Sequence, residues 1–187
     1  MVTQFKTIDE LPAFTEKGYH MMKIPPTEWN IIYGIFELSK NIEPTVDLDP
    51  NLNAKFYNIA KYTTIQQGIM SLLKAPHEKF SGQNLIEQNL YGVREYSKGA
   101  TLYEHTDNIK THHISSIIHL ESDCDWPIEI QGHDGEWVSF NMNPGDILFY
   151  ESAKCLHKRS TPMPGSFWRN MYVHYSLIDY SYVGEDV

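Results

Sequence analysis

Residues 143–159 read NPGDILFYESAKCLHKR and give the clearest indication of the fold. The Asn-Pro-Gly-Asp sequence at its start is typical of a tight turn, because proline and glycine favour the backbone angles that turns need. The apolar run 146–150 then predicts a buried β-strand, and a second strand is predicted over 153–158. A strand that leaves a turn, followed by a strand that returns, indicates antiparallel β-structure.

Short β-rich segments extend from this stretch in both directions. Turn signals such as Lys98-Gly99 and His133-Asp134-Gly135 separate them. The predicted strands cover residues 89–96, 101–105, 112–120, 127–131, 136–141, 146–150, 153–158 and 168–178. Closely spaced short strands favour a double-sheet jelly roll. The predicted fold class is therefore α+β, mainly β: a cupin-like double-stranded β-helix with supporting N-terminal helices.

Residues before 88 have helical apolar spacing instead. Three stripes, that is, apolar residues spaced so that they share one face of a helix, predict three helices. The first follows Pro25-Pro26 and ends by Pro44. The second begins at Pro50 or Asn51, and the third ends before Pro76. The three stripes consist of Trp29, Ile32, Tyr33 and Phe36; Leu52, Phe56, Ile59 and Ala60; and Ile65, Ile69, Leu72 and Leu73. We expect one domain over 1–187, with helical support from 1–88 and a jelly-roll core from 89–180.

Composition and charge exclude several functional classes. The 187 residues carry a net charge of −9, so binding to the phosphates of a nucleic acid is disfavoured. The N-terminal sequence MVTQFKTIDELP does not resemble a secretory signal, and no apolar run approaches the ~20 residues that span a bilayer. Cys124 and Cys155 lack CxxC spacing and are interpreted as reduced thiols. We expect a soluble, cytoplasmic protein without a membrane partner.

His105 and Asp107 are the first candidate ligands of a metal ion. They stand two residues apart where a strand enters a turn, and such residues project from the same face of a strand. His-x-Asp alone arises readily by chance. His157, at the end of the returning strand, can lie opposite His105 in a jelly roll. Two imidazoles and one carboxylate suit iron(II) and leave coordination positions for a chelating cosubstrate and O₂. Zinc is the rival metal.

Arg159 is the candidate partner for an anionic cosubstrate. It lies two residues beyond His157, so a continuing strand points both side chains to the same side. The planar guanidinium is well shaped to bind a carboxylate through two hydrogen bonds. Arg169 on the last strand is the rival anchor, and Tyr96 is a further candidate donor to the same carboxylate.

The stretches YGVREYSKGATLYEHTDN (91–108), DWPIEI (125–130) and HDGEWVSFNMNPGDILFYESAKCLHKR (133–159) resemble a known family. They are similar to the iron- and 2-oxoglutarate-dependent oxygenases of the prolyl 4-hydroxylase type, in particular a microbial and viral subgroup. The resemblance covers roughly residues 89 to 178. It implies a dioxygenase that hydroxylates a substrate C–H group, by default in peptidyl proline, and releases succinate and CO₂.

The resemblance also implies roles for individual residues. His105, Asp107 and His157 become ligands of Fe(II), and Tyr96 becomes a contact to 2-oxoglutarate, with O₂ as cosubstrate and ascorbate as an optional cofactor. Animal-type members place a Lys or Arg nine or ten residues after the second His, where this chain has Ser166 and Phe167. Arg159 is therefore favoured as the anchor. Arg94 and His112 match the subgroup and are expected near the pocket.

Three alternative functions are consistent with the same residues. A 2-oxoglutarate oxygenase could act on another amino-acid side chain or on a small metabolite. A cupin-type isomerase or hydrolase would use the metal without 2-oxoglutarate. A non-catalytic jelly roll would bind a sugar or peptide without stoichiometric iron. The partner is in each case a peptide or a small molecule.

Overall fold

The computed structural model describes residues 2–46 and 52–184. It is mainly β, with two helices, α1 (Pro26–Ser39) and α2 (Thr63–Ser81), and a short 3₁₀ turn at Ile8–Glu10. Among these residues, no helix is both long and apolar enough to cross a membrane. The strands are β1 (Thr3–Phe5), β2 (Tyr19–Lys23), β3 (Thr45–Val46), β4 (Ala54–Asn58), β5 (Leu85–Asn89), β6 (Gly92–Ser97), β7 (Leu102–His105), β8 (Ile114–Ser122), β9 (Ile128–Gln131), β10 (Trp137–Phe140), β11 (Asp146–Tyr150), β12 (His157–Arg159), β13 (Phe167–Leu177) and β14 (Tyr180–Tyr182).

Two antiparallel sheets form the body of the protein. The larger has the order β2-β11-β8-β13-β6-β4-β3, with β5 paired to the second half of β13. The smaller has the order β10-β9-β12-β7. A parallel pair of β1 and β14 brings the two ends of the described chain together.

The larger sheet buries both of its faces, and alternate residues serve each face. Ile118 packs with α1 and α2 in one apolar cluster, whereas its neighbour Ile117 belongs to a second cluster. That second cluster also contains Ile128 and Ile130 of the smaller sheet. The helices therefore cover one face of the larger sheet, and the smaller sheet covers the other.

The helix predictions are confirmed for two of the three segments. Helix α1 begins at Pro26, where a missing N–H costs nothing, and it buries Ile32 and Phe36 as the stripe predicts. Helix α2 contains the third stripe but continues through Pro76 to Ser81 and ends at left-handed Gly82. Burial of its apolar face outweighs the hydrogen bond lost at the proline.

The predicted helix around residues 52–60 is wrong, and its proposed start at Pro50 or Asn51 lies outside the described residues. Residues 54–58 form β4, which pairs with β6 along its whole length and with β3 on its other side. Gly92 permits this pairing, because a Cβ there would lie 2.0 Å from the Tyr57 carbonyl oxygen. Hydrogen bonds to a distant strand thus override a weak helical pattern.

Two further predictions need correction. The N-terminal part is not purely a helical support, because β2 pairs with β11 and β4 pairs with β6 within the larger sheet. The strand predicted over 153–158 begins only at His157. Before it, the Glu151 carbonyl accepts hydrogen bonds from the N–H groups of Lys154 and Cys155, which makes this segment a turn.

His77 of α2 gives the fold a predicted sensitivity to acid. It is fully buried, its Nδ1 donates to the Leu73 carbonyl, and its Nε2 has no hydrogen-bond partner among the described residues. Burial lowers the pKa of His77 from 6.5 to about 4. Between pH 6.5 and pH 4, His77 binds a proton in the unfolded chain but stays neutral in the folded chain. Stability should therefore fall by about 3 kcal/mol as the pH drops from 6.5 to 4.

Urea denaturation at several pH values measures this loss. The variant His77→Leu should lack this part of the acid sensitivity, whereas His20→Gln, at an exposed position, should retain it. An unchanged dependence of stability on pH in His77→Leu would contradict the assignment.

Candidate metal centre

Strands β7 and β12 bring the two predicted histidine ligands side by side. His105 and His157 are register partners at the end of this antiparallel pair, and their ring centroids lie 4.2 Å apart. Asp107 follows β7 in a turn, where its N–H donates to the Ser152 carbonyl at 2.8 Å. The turn before β12 therefore holds Asp107 beside the two histidines.

The donor atoms of these residues converge on one point. One ligand atom from each of His105, Asp107 and His157 lies within 4.8 Å of the other two. The histidine Nε2 atoms stand 3.9 and 3.6 Å, respectively, from Asp107 Oδ1. Each histidine directs Nδ1 to a backbone carbonyl, of Tyr103 at 2.8 Å and of Cys155 at 3.1 Å. Since carbonyls only accept, Nδ1 carries the proton and each Nε2 presents a lone pair to the centre.

The charge state of Asp107 suits a bound cation. Burial by itself would raise the pKa of this carboxyl, but the contact with His157 and the nearby His174 and His112 lower it below its usual range. Its Oδ2 is buried without a hydrogen-bond partner among the described residues. A buried carboxylate oxygen without a donor is costly, and a metal ion would compensate it. The donor set therefore fits a divalent metal that prefers imidazole and carboxylate ligands.

A cavity of ≈ 200 Å³ opens between the two sheets at this centre. Its lining includes Arg94 and His112, which were predicted near the pocket, together with Tyr96. Sequence reasoning missed several residues of the lining; the polar ones on the larger sheet are Tyr150, Tyr172 and His174. The spacing of Tyr172 and His174, two residues apart on a predicted strand, was the available signal.

Arg159 points inward as strand parity predicts. It is 1% exposed, and its guanidinium lies over the rings of Trp126 and Trp168, at 4.3 and 4.9 Å from their centroids. Its Nη1 donates to the Trp126 carbonyl, while Nε and Nη2 have no partner among the described residues. Burial lowers the pKa of Arg159, and the phenols of Tyr172, Tyr96 and Tyr150 are its electrostatic neighbours. Arg159 does not itself line the cavity as these tyrosines do.

Tyr96 lines the cavity and is an electrostatic neighbour of Arg159. Its hydroxyl is 2.8 Å from that of Tyr172, which also accepts a hydrogen bond from the Asn170 amide at 3.3 Å. Burial raises the pKa of Tyr172, so this phenol stays protonated. One of the two hydroxyl protons is used in the hydrogen bond between them, so the pair offers one free donor close to Arg159.

Arg169 is placed elsewhere. Its Nε and Nη1 donate to Glu95 and Glu121, both at 2.6 Å, and Glu121 also contacts Lys40 just beyond α1. These two carboxylates form ion pairs with the Arg169 guanidinium on the helix-covered side of the larger sheet. Tyr96 thus lines the metal-side cavity and Arg159 lies beside its tyrosines, whereas Arg169 is paired with Glu95 and Glu121 on the other face of the larger sheet.

Comparisons with known proteins agree with this architecture. No protein-family model and no curated protein sequence matches the chain. Among solved structures, a prolyl-4-hydroxylase from Pseudomonas putida is similar, with a TM-score of 0.65 and 12% identity over 91% of this chain and 96% of that one.

Two further structures have the same architecture. HygX from Streptomyces hygroscopicus, with nickel, 2-oxoglutarate and hygromycin B bound, has a TM-score of 0.64 and 12% identity over 88% of this chain and 85% of its own. A prolyl hydroxylase from Trichoplax adhaerens, in complex with a hypoxia inducible factor peptide fragment, has a TM-score of 0.60 and 10% identity over 86% and 84%. The resemblance noted in the sequence is thereby confirmed in the fold: this chain has the fold of prolyl hydroxylases and related 2-oxoglutarate-dependent oxygenases.

Proposed function

We propose that this protein is an iron(II)- and 2-oxoglutarate-dependent dioxygenase, built as a single jelly-roll domain. The proposal rests on one observation: three ligand atoms converge beside a cavity that ends near a buried arginine. These atoms are His105 Nε2, Asp107 Oδ1 and His157 Nε2. A cupin-type enzyme without 2-oxoglutarate would need the metal ligands but would give no reason for a buried guanidinium with unused donors.

The three ligands would hold iron on one face and leave the cavity side open. Bound iron, together with 2-oxoglutarate and O₂, supplies the oxidation that couples formation of succinate and CO₂ to hydroxylation of a substrate C–H group. The backbone carbonyls of Tyr103 and Cys155 keep both imidazoles in the tautomer that binds metal. Closely packed apolar side chains between the sheets surround the inner side of the centre, where His157 is buried, whereas His105 lies at its solvent-exposed side.

Arg159 and Tyr96 are the proposed anchors of the distal carboxylate of 2-oxoglutarate. A buried guanidinium is stable only when its charge is paired, and two of its donors are unused among the described residues. A carboxylate has the planar shape that pairs with those donors. The hydrogen-bonded pair of Tyr96 and Tyr172 would add one neutral hydrogen bond at the same point. Arg169 is already neutralised by two carboxylates and is the weaker candidate.

Peptidyl proline is the proposed substrate, supported by the similarity of the fold to two prolyl hydroxylases. Phe56 and exposed Tyr91 at the cavity entrance provide apolar surface on which a peptide could pack. HygX, whose structure holds hygromycin B, supports the second candidate, a small metabolite. Cytoplasm is the proposed location of the protein, and the free thiols of Cys124 and Cys155 fit that reducing compartment.

Anaerobic reconstitution with Fe(II) and 2-oxoglutarate, followed by addition of O₂, tests the reaction. We expect succinate to form in an amount that depends on both additions. Proline-containing peptides and a metabolite panel, analysed by mass spectrometry, should identify a product heavier by one oxygen atom. Bound iron without any succinate would reject the dioxygenase in favour of the cupin-type alternative.

A further inference from the structure

A chain of buried hydrogen bonds connects His174 to the turn that holds Asp107. His174 Nδ1 lies 2.8 Å from Ser115 Oγ, which lies 2.5 Å from Ser152 Oγ. Ser152 Oγ in turn lies 2.7 Å from the carbonyl oxygen of His112. Both serines are fully buried and His174 is 7% exposed, so the chain is shielded from exchange with solvent.

The direction of every proton in this chain follows from its last member. The His112 carbonyl can only accept, so Ser152 must donate to it. Ser152 then has only lone pairs for Ser115, and Ser115 must donate to Ser152. The remaining partner of Ser115 is therefore its donor, which means that His174 carries its proton on Nδ1.

The negative charge of Asp107 supports the same assignment. Asp107 Oδ2 lies 3.6 Å from His174 Nδ1, and a protonated nitrogen facing a carboxylate is favourable. In this tautomer of the neutral ring, His174 Nε2 carries a lone pair. The ring lines the cavity, and the side-chain hydrogen bond of His174 to a described residue is the one between Nδ1 and Ser115.

We propose that His174 determines substrate specificity by accepting, at Nε2, a hydrogen bond from an N–H or O–H group of the substrate. The inference rests on the proposed function and narrows its substrate class. Because the ring also contacts a metal ligand, the substrate donor would lie close to the carbon that reacts. A purely hydrocarbon group would leave Nε2 without a partner. Sites built to hydrogen-bond a substrate group discriminate strongly against analogues that lack that group.

The inference divides the substrate candidates. Primary and secondary amides and amines, and alcohols, carry the required donor on the reacting group itself. A prolyl ring within a peptide has no N–H, so peptidyl proline would have to supply the donor from the backbone N–H of a neighbouring residue.

Nitrogen-detected NMR on protein labelled with ¹⁵N-histidine and loaded with zinc(II) and 2-oxoglutarate tests the tautomer. We expect a proton on Nδ1 of His174 and none on Nε2. A proton on Nε2 would overturn the proposal. The readout does not depend on turnover, so it can succeed or fail whether or not the protein forms succinate.

Two small amides test whether Nε2 is available to a ligand. Acetamide has N–H donors, and N,N-dimethylacetamide has none. Shifts of the Ile117 methyl signals, from a side chain in the same cavity, report the binding of each. Acetamide should bind about tenfold more weakly to His174→Asn, which keeps a donor to Ser115 but has no acceptor at the position of Nε2, and near-normally to His174→Gln, whose amide oxygen can reach that position.

N,N-dimethylacetamide should bind equally to the wild type and both variants. If His174→Asn weakened the binding of both amides equally, His174 would have a structural role only. If acetamide did not bind to the wild type, Nε2 would be inaccessible to ligands. Either result overturns the proposal. Absence of succinate from the wild type would instead reject the proposed function and leave these binding results intact.

Discussion

Asp107→Ala is expected to lose iron binding and succinate formation together. The substitution removes the only carboxylate of the metal group and leaves two neutral imidazoles, which hold iron(II) weakly. Since changes even to residues behind metal ligands cost about 10- to 100-fold in affinity, loss of a ligand should exceed about 100-fold. Metal content per chain after anaerobic reconstitution and dialysis, and succinate formed per chain, are the two measurements.

The control must separate loss of metal from loss of fold. Alanine at position 107 keeps the backbone N–H that donates to the Ser152 carbonyl, so the metal-free variant should remain folded, with a melting temperature lowered only by the lost contacts of the carboxylate with the nearby histidines. Asp125→Ala removes an exposed carboxylate and should retain iron and activity. Iron retention and turnover at wild-type levels in Asp107→Ala would show that the proposed metal centre is wrong.

Arg159→Met is expected to raise the KM for 2-oxoglutarate on the order of 100-fold, because it removes hydrogen bonds to a charged carboxylate. Methionine fills similar space without a buried charge. The metal-free protein should therefore be as stable as the wild type or more so, since removing an unpaired buried cation costs little. Thermal unfolding with and without 2-oxoglutarate should show that the stabilisation by this ligand is lost.

Arg169→Met is the matched control with the opposite expectation. It breaks the ion pairs with Glu95 and Glu121 and should lower the melting temperature. It should leave the KM for 2-oxoglutarate unchanged, because the Arg169 guanidinium is already paired with Glu95 and Glu121. A raised KM in Arg169→Met together with an unchanged KM in Arg159→Met would exchange the roles of the two arginines.

Features that depend on neighbours in the chain were predictable from the amino-acid order. The strands β8, β11 and β13 and the helix α1 follow from local periodicity, because the pattern of buried residues repeats within one element. The shared inward direction of His157 and Arg159 follows from the two-residue repeat of a strand, and both are buried. The predicted grouping of His105, Asp107 and His157 needed two further elements, the assumption of a jelly roll and the resemblance to 2-oxoglutarate-dependent oxygenases.

Features that depend on distant partners were decided by the tertiary structure. Residues 54–58 form a strand because β6, far along the chain, supplies their hydrogen-bond partners. Ion pairs hold Arg169 away from the cavity. Its partners are Glu95 and Glu121, which neighbouring strands place beside it. The tautomer of His174 depends on Ser115 and Ser152, which come from two other strand regions. Local sequence specifies which face a residue occupies, but the partner that satisfies its polar atoms is known only once the strands are paired.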